Sequence, residues 1–533
     1  MHRNMARTLK NRASKKPYIS PSQLRLVNFE TPFSAHLNPT NRWVRLAHEI
    51  PWDSIVNVYL NQMNNHKTGA SNINPRIVLG SLMVKHMMNI SDEETIQMIS
   101  ENLYIQYFLG FDSFTSEAPF DASLFVELRK RMGMEQLNKI NDVIYQAAVG
   151  KFGVVTEKAD NGSDDGEEME QAPDSTDSVS HGQEEAEEKS SVSKNRGRML
   201  VDATACPQDI AYPTDLGILN ESREKCEEII DKLFIRALHG TVKPRTYRET
   251  ARKDYLNVAK KKKRTRTELK AAIRKQLGYV KRDLKTIDRL LAEMVENPLK
   301  EKDRTYLETI RKVYEQQDFM KRNKTHSVPE RIVSIHQPHV RPIVRGKEKS
   351  NVEFGSKINV SLVDGYAFLD HLSWEAYNEG GHLMESVELY RKRHGCYPAE
   401  IMVDRIYCNR ENRRMLKELG IKLLGKQLGR PSEKNRVEYN PGDRNPIEGK
   451  FGQAKVRYGM DRIKARLKDT SESWVAMILV VMNLVRLAKE APYFWLLSEM
   501  RRLENIFLNI IREIRYNRLS VILIPGSRLR LFQ

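Results

Sequence analysis

Cysteine is scarce, and no two cysteines stand close enough along the chain to act together. The 533 residues contain four, Cys206, Cys226, Cys396 and Cys408, with no C-x-x-C pair. That excludes a disulfide-stapled secreted scaffold and a cysteine-rich zinc module, and it fits a reducing compartment. Long apolar runs are also missing. The most apolar stretch, WVAMILVVM at 474–482, falls far short of the roughly 20 residues a membrane-spanning helix needs, and it reads as a buried helix. The basic start MHRNMARTLKNRASKK lacks an apolar core, so it is no secretory signal. Internal repeats are absent. Together these absences predict a cytoplasmic chain with no membrane partner.

Positive charge, by contrast, is abundant. The net charge is +18, and it is unevenly spread: residues 157–188 hold thirteen Asp/Glu against one Lys, leaving about +30 on the rest. An excess of that size favours a polyanion as partner, nucleic acid first.

The chain is long enough for several units. After an N-terminal extension (1–44), residues 45–155 read as helices. NPRIVLGSLMVKHMMN opens with Pro75 in its first turn. SDEETIQMISENLYIQYFLG opens with Ser91 and Glu94 at capping-box spacing, and DASLFVELRKRMGMEQLNKINDVIYQAAV continues the helical period. Short helices with a basic ELRKRMG end suit a helix-turn-helix DNA reader and a plain helical bundle about equally. Residues 156–195 are acidic, rich in Ser and Gly and almost free of large apolar groups, the composition of a disordered linker.

Strands then alternate with helices. RMLVDATA (198–205), RIVSIH (331–336), RPIVRG (341–346), SKINVSLVDG (356–365), AEIMVDRIYC (399–408) and IKLLGK (421–426) read as strands. The helix RENRRMLKELG ends at Gly420, and DTSESWVAMILVVMNLVRLAKEA reads as a late helix. This is the pattern of an α/β sheet domain, over 196–239 and 326–495. It is interrupted by a helical insertion at 240–325. There Leu269, Ile273, Leu277, Val280, Leu284, Ile287, Leu291 and Met294 recur in steps of three and four, a coiled-coil-like seam. TYLETIRKVYEQQDFM reads as a return helix packed on it, and KKKKRTR (260–266) as either a solvated run or a phosphate contact. Residues 496–533 are left without a function.

Three carboxylates stand out by position. Asp202 lies in an apolar strand, where an unpaired Asp is costly. Asp404 ends another strand just before a loop, the usual ligand side of an α/β sheet. Glu448 lies in the first turn of the helix within GDRNPIEGKFGQAKVRYGM (442–460). Carboxylates of this kind can hold Mg²⁺. Each also has a simpler reading: Asp202 as a hydrogen-bonded core residue, Asp404 as the cap of the helix at 410, and Glu448 as the far partner of a capping box begun by Asn445. Asp364 competes for the second position, but turn chemistry accounts for its Asp-Gly pair. Glycines 449, 452 and 459 make a poor helix, at a cost of roughly 1 kcal/mol each relative to alanine. At 100° per residue Glu448, Gly452, Lys455 and Gly459 share one face, and Ile447, Phe451, Ala454 and Tyr458 share a core-facing one. The first face suits close approach of a nucleic-acid backbone.

These residues also carry a family likeness. NRWVRLAHEIPWD, VDATACPQDIAYPTDLGILNESRE, VDRIYCNRENRRML and NPIEGKFGQAKVRYGM, in that order, resemble a bacterial insertion-sequence DDE transposase of the insertion-sequence-five superfamily with an InsH-like N-terminal domain. The resemblance covers most of residues 20–490. It implies an RNase H-like catalytic domain, a mixed sheet flanked by helices, joined to an all-α DNA-binding domain at 45–155. It implies that Asp202, Asp404 and Glu448 bind Mg²⁺ (or Mn²⁺) and catalyse cleavage and strand transfer. Arg444, Glu448 and Lys455 match the Arg, Glu and Lys of a Tyr-Arg-Glu-Lys signature seen in related transposases. The Tyr position falls on Pro441, with Tyr439 two residues away. The basic side chains expected to meet DNA are Arg444, Lys450, Lys455 and Arg457. The implied partners are the terminal inverted repeats, target DNA and a second copy of the chain in a synaptic homodimer. Two other readings remain: a DNA-binding protein of transposase descent that no longer cuts, and a metal-dependent nuclease without strand transfer.

Overall fold

The computed structural model describes residues 37–61, 73–152, 195–347, 350–426 and 440–490. The acidic linker (except its last residue), the C-terminal tail at 496–533 and most of the N-terminal extension lie outside them. The described chain is a mixed α/β structure built on one six-stranded sheet.

Seven helices come first: α1 (Arg42–Glu49), α2 (Trp52–Leu60), α3 (Pro75–Met88), α4 (Asp92–Glu101), α5 (Leu103–Leu109), α6 (Leu124–Arg131) and α7 (Met134–Phe152). Their boundaries follow local chemistry. Pro75 begins α3 behind Asn74, whose side chain accepts from the Arg76 N–H. Ser91 and Glu94 form the reciprocal capping box that their spacing predicts. The helical run that follows is broken in two because the Asn102 side chain caps a new helix, accepting from Tyr104 and Ile105. The basic end of α6 is not free for phosphate throughout: Arg129 is buried, grips Asp92 through its two terminal guanidinium nitrogens (3.0 and 2.8 Å), and shares that carboxylate with Lys85.

The sheet opens with β1 (Arg198–Pro207). A helical excursion follows: α8 (Asp215–Leu233), α9 (Arg236–His239), α10 (Arg248–Ala259), α11 (Arg266–Ala292) and α12 (Glu301–Asn323). Here α11 rests chiefly on α8, with α12 against both. Leu277, Val280, Leu284 and Ile287 of the seam are buried with Ile229, Ile230 and Leu233 of α8. Thr265, inside the basic run, caps α11 with Glu268.

The chain then returns to the sheet as β2 (Arg341–Lys347), β3 (Ser350–Val363) and β4 (Tyr366–Ser373). It continues through α13 (Leu383–His394), β5 (Glu400–Val403), α14 (Arg410–Glu418), β6 (Lys422–Leu424), α15 (Asn445–Tyr458) and α16 (Lys468–Glu490). RIVSIH is not a strand, and the strand at 399–408 is cut to four residues before a short helical turn at Arg405–Tyr407. β3 pairs antiparallel with β1, β2 and β4, while β1 pairs parallel with β5 and β5 parallel with β6. Asp364 and Gly365, both with positive φ (49° and 76°), make the two-residue β3–β4 turn, as the Asp-Gly pair predicts. The Asp364 carboxylate accepts from the Tyr145 hydroxyl at 2.8 Å, so it serves the turn and the core.

One hydrophobic core runs through α1–α7, the sheet, α15 and α16. By length and composition α16 could cross a membrane, yet 78% of its most apolar window is buried inside the fold. Its Asn483, fully buried, bonds to both the N–H and the carbonyl of Ala367 on β4 and to Asn141 on α7. The N-terminal helices are thus tied to the sheet by paired polar groups as well as by apolar contact.

Candidate metal and nucleic-acid site

The β1–β5 pairing decides where two of the carboxylates go. Val201 stands opposite Val403 in parallel register. Register partners in a parallel pair carry their side chains on the same face, so the next residues, Asp202 and Asp404, also share one face at the end of the pairing. The Arg444 guanidinium lies between them, with Nη2 2.9 Å from Asp202 Oδ2 and Nη1 3.1 Å from Asp404 Oδ1. Asp202 also accepts from the Ala203 N–H, and Asp404 from the Arg405 N–H. Burial raises the Asp202 pKa above its ordinary value. The Ala203 N–H and Arg444 oppose that rise, and the negative charges of Glu379 and Asp404 add to it.

The competing structural readings fare differently. Asp404 does not cap α14, because Asn409 does, accepting from Asn412; Asp404 caps only the short turn at Arg405–Tyr407. Asn445 is already helical and α15 has no side-chain cap, so the capping box expected of Glu448 does not form. Glu448 is exposed one turn beyond Arg444, and among the described residues no group pairs with its carboxylate.

Along α15 the core face is as expected, with Ile447, Ala454 and Tyr458 buried and Phe451 packed against them. The glycines divide by cause. A Cβ on Gly449 or Gly452 would meet nothing within 4 Å, so both leave open space. Gly459 is different: it terminates α15 with φ 69°, and a Cβ there would lie 2.7 Å from Asn89 Oδ1. Its presence is explained by the helix end and by Asn89.

Among the basic residues, Arg444 and Lys455 fall on the Glu448 face of α15, while Lys450 and Arg457 fall about half a turn round. Lys450 is partly buried near Arg486 and Lys489 of α16. Burial, and secondarily those two cations, lowers its pKa to about 8. Arg457 is exposed, with its guanidinium 5.6 Å from the Tyr458 ring centroid.

One further carboxylate near this site was not singled out in the sequence. Glu379 lies just before α13 and pairs with Lys357 of β3 at 2.7 Å. Its charge acts on Asp202, and also on Tyr377 and Tyr407, whose pKa values are raised chiefly by burial. Both tyrosine hydroxyls donate to Asn359 Oδ1. In AYNEGGHL nothing distinguishes Glu379 from an ordinary loop acid; only the folding of β3 beside β1 brings it near.

Comparison with known proteins adds to this geometry. Residues 401–485, which include Asp404, Arg444 and Glu448, match a family model described as a transposase DDE domain. Residues 31–131 match one described as a transposase domain (DUF772). An uncharacterized protein, ORF8 in the nfe locus of Rhizobium meliloti, is 33% identical over 124 residues, which are 23% of this chain. The matched stretch spans 58% of that relative's length. No solved structure matches the chain.

Proposed function

We propose that this chain, which matches transposase family models over residues 401–485 and 31–131, is an insertion-sequence DDE transposase that cuts DNA at the ends of its element and joins them to target DNA at Asp202, Asp404 and Glu448. One observation carries the assignment. A guanidinium lies between Asp202 and Asp404, so their oxygens already converge on positive charge, and an all-oxygen donor set suits Mg²⁺ or Mn²⁺. When bound, the divalent ions would supply activation of an attacking oxygen and stabilisation of the leaving one.

The chain's own groups do the rest. The β1–β5 register holds Asp202 and Asp404 in fixed relation, and α15 carries Glu448 with no competing partner among the described residues. Arg444 and Lys455 neutralise DNA phosphates along the α15 face, where Gly449 and Gly452 leave room for a backbone to approach. The mixed sheet with β1 at its centre supports an RNase H-like catalytic domain. The helices α1–α7 bind the terminal inverted repeats, a homodimer brings two ends together, and the protein works on the chromosome in the cytoplasm.

The test is a strand-transfer assay with Mg²⁺ or Mn²⁺ on DNA bearing the element's ends. Asp202→Asn, Asp404→Asn and Glu448→Gln should each lower cleavage and joining by about 100-fold or more while leaving DNA binding in place. Cleavage without joining by the unaltered chain would identify a nuclease, and binding without cleavage an inactive descendant. Full activity in Glu448→Gln would remove that residue from the site.

A further inference from the structure

We propose that His371, His382 and Glu385 form a second metal site, one that takes a zinc-class ion rather than Mg²⁺ and clamps the end of β4 to the start of α13. The three side chains come from two places in the chain. His371 lies on β4, His382 just before α13 and Glu385 in its first turn. One ligand atom from each lies within 4.8 Å of the other two. His382 Nδ1 is 2.9 Å, and His371 Nδ1 3.1 Å, from the same carboxylate oxygen of Glu385. Donors around one tetrahedral ion, each about 2.0–2.1 Å from it, stand about 3.3 Å apart. Both nitrogen–oxygen separations are already close to that value, and a modest inward turn of the imidazoles completes the set.

Three features favour an ion over a simple pair of histidine–carboxylate hydrogen bonds. The imidazole rings lie with centroids 3.9 Å apart, and the Tyr377 ring sits edge-on to both, at 4.9 and 4.7 Å, which holds their orientation. In a chain with 88 Lys and Arg, no lysine or arginine pairs with Glu385 among the described residues. The cluster is also only partly covered, with the side chains 25%, 29% and 44% exposed. An ion can therefore enter and keep water in its remaining position.

Donor chemistry separates this site from the three candidate catalytic carboxylates. Two imidazoles and one carboxylate suit Zn²⁺ and its neighbours, whereas oxygen-only sites suit Mg²⁺ and Mn²⁺. Its place in the fold suggests its role. The segment it closes, between β4 and α13, contains Tyr377 and Glu379, which lie beside Asn359 and Lys357 next to β1. A metal cross-link there would steady Glu379 near Asp202 without touching the reacting groups.

The experiment uses the full-length chain with ZnCl₂ as probe. Bound zinc is measured by elemental analysis after dialysis and by calorimetry, and Co²⁺ substitution is followed by visible absorption. About one zinc per chain is expected in the unaltered protein and in Glu448→Gln. His371→Ala and His382→Ala should each weaken binding by about 100-fold and abolish the cobalt bands; a circular-dichroism spectrum matching the parent shows that they are folded. Failure of the parent to retain zinc, or retention by both folded histidine variants, would overturn the assignment. Because zinc content is read without DNA, loss of this site and loss of the proposed transposase chemistry are separate results.

Discussion

If Arg444 occupies the place of a cation, removing its charge should make that place easier to fill. Arg444→Gln keeps a polar, helix-compatible but shorter side chain while deleting the positive charge between Asp202 and Asp404. Arg444 is 11% exposed and its partners 15% and 54%. The Asp202 contact is therefore shielded from water, and the Asp404 contact is largely screened. Charge-assisted hydrogen bonds of the shielded kind are worth about 1.5–3 kcal/mol, and the exposed one at most about 1 kcal/mol. A divalent ion entering the DNA-free protein must displace these contacts. Part of the cost is recovered as the guanidinium turns to water, leaving a net difference of about 1.4–2.8 kcal/mol, or roughly 10- to 100-fold in affinity. Arg444→Gln should thus bind Mn²⁺ more tightly, by that factor, in calorimetric or EPR titration without DNA. In the presence of EDTA the same variant should be less stable by about 1–3 kcal/mol, since two carboxylates then face each other unneutralised. In the strand-transfer assay it should lose activity, because the phosphate contact goes with the charge. Unchanged or weaker Mn²⁺ binding would refute the reasoning: Arg444 would then be organising the carboxylates, not standing in for the ion.

Two further predictions rest on other parts of the structure. Gly452→Ala, with open space around the new methyl, should stabilise α15 by about 0.5–1 kcal/mol yet weaken DNA binding if the open face receives a backbone. Gly459→Ala should instead destabilise by about 1 kcal/mol or more, because φ is positive and Asn89 is in the way; thermal melts and DNA titrations of the pair separate the two roles. In the helical excursion, Asp283 is buried and its pKa is pushed to about 7, first by burial and then by Glu227. A raised carboxyl stabilises the fold in its protonated form, fully below about pH 4, and that contribution is lost as pH rises through about 7. The loss is about 4 kcal/mol at most. Asp283→Asn should flatten denaturant stability across that window, and an unchanged slope would show that Asp283 titrates normally.

Much of the candidate site was legible because its signals are local. Asp202 in an apolar strand, Asp404 at a strand end and the two faces of α15 follow from patterns a few residues long, and so do the Ser91 capping box and the Asp364–Gly365 turn. Misreadings came where a local signal had two solutions. Asn445 and Glu448 have capping-box spacing, but a short helical turn at Pro441–Arg444, capped by Asn440, places Asn445 inside the helix. RIVSIH has strand composition, but no neighbouring strand pairs with it in the described sheet.

By itself the sequence determined the alternation of elements, the basic surplus that calls for a polyanion, and which acids were worth suspecting. Periodicity, caps and charge act over one or two turns of chain, so they can be read without knowing the fold. Only the tertiary structure decided that Arg444 spans Asp202 and Asp404 across 242 residues of sequence. It also decided that Arg129 is a core ion-pair partner, that Lys450 turns toward α16, and that His371 of β4 joins His382 at Glu385. Strand register and helix packing set each of those juxtapositions, and both depend on contacts between segments distant in the chain.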